Sequence, residues 1–123
     1  MIEKEFVPHQ ESLELEEIGF NEPCFGYWKS KNWLIQEKTR TDGYTHADQE
    51  CLAPTYSQAF RFFREKHNIS SWIYNSDMIN FFYTILQGGR IVKANNSYES
   101  YEEAELECLK KLIEIVKDGN KSR

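Results

Sequence analysis

The chain has 123 residues, 40% hydrophobic and 15% aromatic, with a net charge of −5 and a pI near 5.2. That length and composition describe one globular domain, 1–123, too rich in aromatics for a disordered chain. The acidic balance weighs against nucleic-acid binding, which draws its affinity from Lys and Arg on phosphates, and no run approaches the roughly 18 apolar residues of a membrane span.

Residues 1–8 carry mixed character and end in Pro8, which predicts a flexible lead-in. With no apolar run behind a basic flank and three widely spaced cysteines (Cys24, Cys51, Cys108), the expectation is a cytoplasmic protein with reduced thiols. A first helix is predicted over about Gln10 to Ile18, closed by Gly19 as the left-handed residue, with Phe20 folding back on Leu15. Asn21-Glu22-Pro23 then forbids continuation. Cys24–Trp28 and Trp33–Glu37 flank the polar Lys29-Ser30-Lys31-Asn32 and predict a β-hairpin. Residues 39–53 lose all periodicity and are expected to form a long loop.

Thr55 and Gln58 form a capping box for a second helix whose stripe is Tyr56, Ala59, Phe60 and Phe63; Asn68 suits its left-handed end. Three strands follow, Ser71–Asn75, Asn80–Leu86 and Arg90–Ala94, with Gly88-Gly89 as a tight turn. A final long helix starts at the Ser100/Glu103 box, buries Ala104, Cys108, Leu109, Leu112, Ile113, Ile115 and Val116, and ends at Gly119, so that 119–123 fray. The predicted class is α+β, an antiparallel sheet of three strands plus an N-terminal hairpin with helices packed on one face, in the order α-β-β-α-β-β-β-α.

Phe6-Val7-Pro8, Gly19 to Tyr27, Leu52 to Phe60 and Tyr98 to Val116 resemble a group of small proteins from phages and prophage regions of Bacteroides-type gut bacteria. The resemblance covers most of the chain. It implies a phage-related origin and brings no assigned activity. Residues 55–116 also resemble, in their α-β-β-β-α order, the double-stranded-RNA-binding domain and small phage α/β sandwich domains. The RNA-binding members place lysines at the start of the last helix. Here the matching stretch is Ser100-Tyr101-Glu102-Glu103-Ala104-Glu105, whose carboxylates repel phosphates.

The search for chemistry yields little. Cys24, His46 and Cys51, with His9 or His67, lack the close pairs of a zinc site. Asp42 and Asp48 around His46 sit in a polar stretch that turn formation and solubility explain. No nucleophile motif or phosphate-binding loop occurs, so neither a catalytic site nor a cofactor is expected. The acidic face Glu99, Glu102, Glu103, Glu105 and Glu107 reads as the solvated side of an amphipathic helix. The feature left over is aromatic. Trp72, Tyr74, Phe81 and Tyr83, with Trp28 or Trp33 nearby, are expected to form an aromatic patch, which is either an exposed partner surface for another protein or a face covered by the N-terminal hairpin and the long loop. A protein-interaction module is the preferred reading, a nucleic-acid binder the second and a small enzyme the third.

Overall fold

The computed structural model describes residues 2–38, 50–75, 79–94 and 96–121. Among the described residues it forms three α-helices and two antiparallel three-stranded sheets, an α+β protein whose contacts divide it into two units, residues 1–59 and 60–123.

In the first unit, a 3-10 turn over Ile2–Glu5 leads to Phe6 and Val7, both buried. Where a flexible lead-in is expected, the described residues form this turn followed by two buried side chains. Val7 explains why: its N–H donates to the Pro54 carbonyl at 2.9 Å, and its own carbonyl accepts from Ser12 Oγ and from the Trp28 indole, each at 3.0 Å. Burying an apolar residue with its backbone fully bonded leaves no polar cost to oppose ordering. Helix α1 spans His9–Glu17. Its end follows the Schellman pattern, with Gly19 N–H bonding the Glu16 carbonyl and Phe20 N–H the Leu15 carbonyl, while Gly19 takes φ +106°. Leu15 and Phe20 are both buried, as the motif requires.

Strands β1 (Tyr27–Ser30) and β2 (Trp33–Ile35) form the expected hairpin, shorter than predicted and with an irregularity between Trp28 and Ser30. The bulge absorbs Lys29, so only Lys31 and Asn32 turn the chain. The expected loop 39–53 ends earlier than its composition suggested. Cys51–Leu52 form β3, buried and paired antiparallel with β1 (Tyr27↔Leu52, Trp28↔Cys51). Glu16 holds β3 from the helix side, its carboxylate accepting from Leu52 N–H at 2.7 Å. Periodicity misses such a strand because two residues are too few to show one. Residues 39–49, including Asp42, His46 and Asp48, lie outside the described residues.

Helix α2, Tyr56–Lys66, begins in the first unit and ends in the second. Its capping box is formed on both sides: Gln58 N–H donates to Thr55 Oγ1 and Thr55 N–H to Gln58 Oε1, both at 3.2 Å. The same Gln58 side chain donates its Nε2 to the Pro23 carbonyl at 3.0 Å. Tyr56, Ala59 and Phe63 are buried as expected, whereas Phe60 is half-exposed and Phe62 takes the buried place. Phe62 and Phe63 meet edge to face at 5.4 Å, and His67 packs against both rings. Asn68 then adopts φ +57°, the left-handed turn that releases the chain into a strand.

The second unit carries the sheet β4 (Ile69–Asn75), β5 (Phe81–Gln87) and β6 (Arg90–Lys93), in that spatial order. β4 and β5 pair over seven consecutive residues without a bulge, from Ile69↔Gln87 to Asn75↔Phe81. Gly88 and Gly89, at φ +54° and +81°, make the two-residue turn into β6; two positive φ values in sequence are what a type I′ hairpin turn needs. Helix α3 runs Tyr101–Lys121 and packs against β4 and β5. Ser100 Oγ caps it by accepting from Glu103 N–H at 3.1 Å. Ala104, Cys108, Leu109, Leu112, Ile113 and Val116 are buried, and Ile115 only partly. Gly119 does not stop the helix, which continues to Lys121; a helical glycine costs only about 1 kcal/mol and is easily carried.

Two substitutions test this framework. Thr55→Ala removes one side of the α2 box and should lower stability by about 1 kcal/mol. Leu109→Ala, at a fully buried position of α3, should cost about 2–5 kcal/mol. Chemical denaturation measures both.

Candidate functional site

The pairing register of the second sheet decides which aromatic side chains can meet a partner. Residues directly opposite one another share a face, and successive residues alternate. One face therefore carries Ser71, Ile85 and Val92, Ile73 with Tyr83, and Asn75 with Phe81. This is the face α3 covers. Ser71 and Cys108 share a side-chain hydrogen bond, Phe81 meets Tyr101 edge to face at 6.1 Å, and Ile85 has no exposure.

The other face carries Ser70, Leu86 and Ile91, Trp72 with Thr84 and Lys93, and Tyr74 with Phe82. Trp72 is 47% exposed, Leu86 38% and Ile91 61%. Tyr74 and Phe82 stack across the strands at 5.6 Å, which ties the two half-buried rings together. Thr84, at the centre between Trp72 and Lys93, is buried and forms the floor of the face.

The expected patch is thus split. Trp72 and Tyr74 lie on the open face. Tyr83, 7% exposed, and Phe81 lie on the helix side and must be removed from it. Strict alternation places Phe81 and Tyr83 on the same side as Ile73, not Trp72, because Asn75 pairs with Phe81 and Ile73 with Tyr83. Phe82, Leu86 and Ile91 take their place. The sequence contained the signal, since Phe82 alternates with Tyr83, but the faces could be matched only once the cross-strand partners were known.

Trp28 and Trp33 belong to the first unit. Trp28 is half-buried, bonded to the Val7 carbonyl and edge-on to His9 at 6.0 Å, a structural role. Trp33 is 58% exposed, with the Lys29 ammonium 5.8 Å from its ring centroid and Lys29 in turn 3.4 Å from Glu50.

Charge is divided as unevenly as exposure. Residues 1–59 hold 11 acidic against 5 basic side chains, and residues 60–123 hold 9 against 10. Within the second unit most carboxylates, from Glu99 to Asp118, lie on or just before α3. Among the described strand residues, the open face has one charged residue, Lys93, and no carboxylate. A single lysine is far short of the array a nucleic-acid backbone needs.

The buried titratable groups show no sign of activation. Burial pushes the thiols of Cys24, Cys51 and Cys108 up to about 12. Nearby carboxylates add to this, Glu22 and Glu16 for Cys24 and Glu16 for Cys51. A nucleophilic cysteine needs the opposite environment. Tyr83 is likewise raised to about 12, by burial first and then by its neighbour Tyr98, which it stacks on at 6.2 Å. Among the described residues no group of three or more His, Cys, Asp or Glu is placed to hold a metal ion, and His46 lies outside them. Among the described residues no helix is long and apolar enough to cross a membrane.

Comparison with protein-family models, with curated proteins and with solved structures gives no match to this chain.

Two measurements follow from these environments. All three thiols should resist a disulfide reagent at pH 8 in the native protein and react fully on denaturation, followed by absorbance. Glu105 on α3 is raised to about 7 by burial, with the neighbouring Glu102 adding to it. A carboxyl whose pKa is higher folded than unfolded stabilises the fold most below the unfolded value near 4.5, and that contribution is lost as pH rises through about 7. Glu105→Gln should therefore flatten the decline in stability across that window, read from denaturation midpoints at successive pH values.

Proposed function

We propose that the chain is a protein-interaction module that binds through the open face of its second sheet, as an accessory protein of the phage-related kind its sequence resembles. The observation that carries this reading is the exposure of Trp72, Leu86 and Ile91 around the Tyr74–Phe82 stack, on the side of the sheet away from α3. Exposed side chains of this size, grouped on one rigid sheet face, gain by leaving water together. Trp and Tyr also lose little conformational freedom when bound, and they are enriched among the residues that dominate binding energies.

The chemistry of the face defines its complement. Its described residues are mostly apolar, with Lys93 at one side and no carboxylate among them. The partner it suits is a protein segment with an apolar surface and an acidic residue placed to meet Lys93. The Tyr74–Phe82 stack supports this reading further, because its rings are already held in place before contact. The high thiol pKa values favour binding over catalysis by a cysteine.

The test compares the tagged chain with a Phe82→Ala/Ile91→Ser variant in retrieving partners from a Bacteroides-type lysate. A discrete protein held by the native chain through a high-salt wash, and lost by the folded variant, is the expected result. A protein held equally by both would remove the face from the reading. Nucleic acid held alone and released by salt would replace a protein partner with a phosphate backbone.

A further inference from the structure

The two edges of the second sheet are built differently. β6 has four residues, begins with Arg90 and ends with Lys93, both exposed. Beyond it Ala94 N–H bonds the Tyr83 carbonyl, and Tyr98 exchanges two backbone bonds with Phe81. Short length and flanking charge are usual means of keeping an edge from pairing with another chain. β4 has neither. Its seven residues, Ile69-Ser70-Ser71-Trp72-Ile73-Tyr74-Asn75, include no charge and no proline, and their register is unbroken. Among the described residues, no strand pairs with its other side.

The direction of the backbone groups on β4 follows from the bonds of β5. Phe81 and Tyr83 bond towards the β6 side, to Tyr98 and Ala94. Phe82, Thr84 and Leu86 therefore bond towards β4, to their partners Tyr74, Trp72 and Ser70. The N–H and C=O groups of Ser71 and Ile73 point to the outer edge.

We propose that β4 pairs antiparallel with β4 of a second copy of this chain, about a two-fold axis at Trp72. Only outward-directed residues can exchange ladder bonds, and an axis at Trp72 sets Ser71 opposite Ile73 of the second copy, and Ile73 opposite its Ser71. Trp72 is the middle residue of the strand, so this register is centred on it. The two Trp72 rings then meet at a non-hydrogen-bonded position, where cross-strand side chains come closest and aromatic pairs gain most. Ser70 faces Tyr74 of the second copy, small against large. With no charge in the strand, the pairing sets no like charges of β4 opposite one another, and the two sheets join into one of six strands with an open face of double extent. The occupant is a second copy because the strand complements itself about its centre.

The mass of the full-length chain should rise from 14.6 kDa towards twice that value over about two decades of concentration in sedimentation equilibrium. The Trp72→Lys variant, which places like charges opposite one another across the axis, should stay monomeric at every concentration while keeping its circular dichroism. Hydrogen exchange of the native protein supplies a check that needs no variant: the Ser71 and Ile73 amides should become protected as concentration rises. A chain that stays monomeric throughout, a folded Trp72→Lys variant that still dimerises, or Ser71 and Ile73 amides that exchange at one rate at all concentrations would each overturn the proposal. The Phe82→Ala/Ile91→Ser variant alters the open face and leaves the β4 edge intact. Its dimer should persist where partner binding is lost, so the two readings fail separately.

Discussion

The unbroken pairing of β4 with β5 is the constraint on which the functional reading depends. Seven consecutive pairs leave no freedom of register. Because side chains alternate with a period of two, that single choice assigns every aromatic of both strands to a face. Ile73, Phe81, Tyr83 and Ile85 go to α3; Trp72, Tyr74, Phe82 and Leu86 go to the open side. A slip of one residue would bury the second set and expose the first. The α3 stripe holds the register from one side, since Ala104, Cys108, Leu109 and Leu112 have no exposure and need apolar partners beneath them. The Gly88-Gly89 turn does the same for β5 against β6, because a two-residue loop permits one alignment only.

Legibility in the sequence followed the range of the interactions involved. Caps and turns are local, and they could be read directly: Thr55 with Gln58, Ser100 with Glu103, Gly19 with Phe20, Asn68, and the Gly88-Gly89 pair all do what their residue types imply. Elements whose cause lies far along the chain could not be read. β3 exists because Cys51 and Leu52 pair with β1 and because Glu16 bonds to Leu52, 36 positions away. Residues 6 and 7 are ordered by Pro54 and Trp28. The aromatic patch was half legible for the same reason. Alternation within each strand was visible, but joining Trp72 to Phe82's face required the pairing between strands.

Polar and charged groups divide labour in a way that composition conceals. The net charge of −5 is a property of residues 1–59, while the second unit is close to neutral and keeps its carboxylates on or just before the helix. Among the described strand residues, the sheet face is left with Lys93 as its charge. A surface of that kind is poorly suited to a phosphate backbone and well suited to apolar contact, which is why the interaction reading rests on the face and not on the acidic total. Cysteines follow the same logic. All three are buried small hydrophobes with thiols raised by burial, and they act in packing.

Hydroxyl-radical footprinting of the native chain, resolved to single residues by mass spectrometry, tests the face assignment most directly. The account predicts rapid modification of Trp72 and Ile91 and protection of Tyr83 and Ile85, with Phe82 between the two groups. Rapid modification of Tyr83 together with protection of Trp72 would mean that the register is shifted and that the open face is a different one.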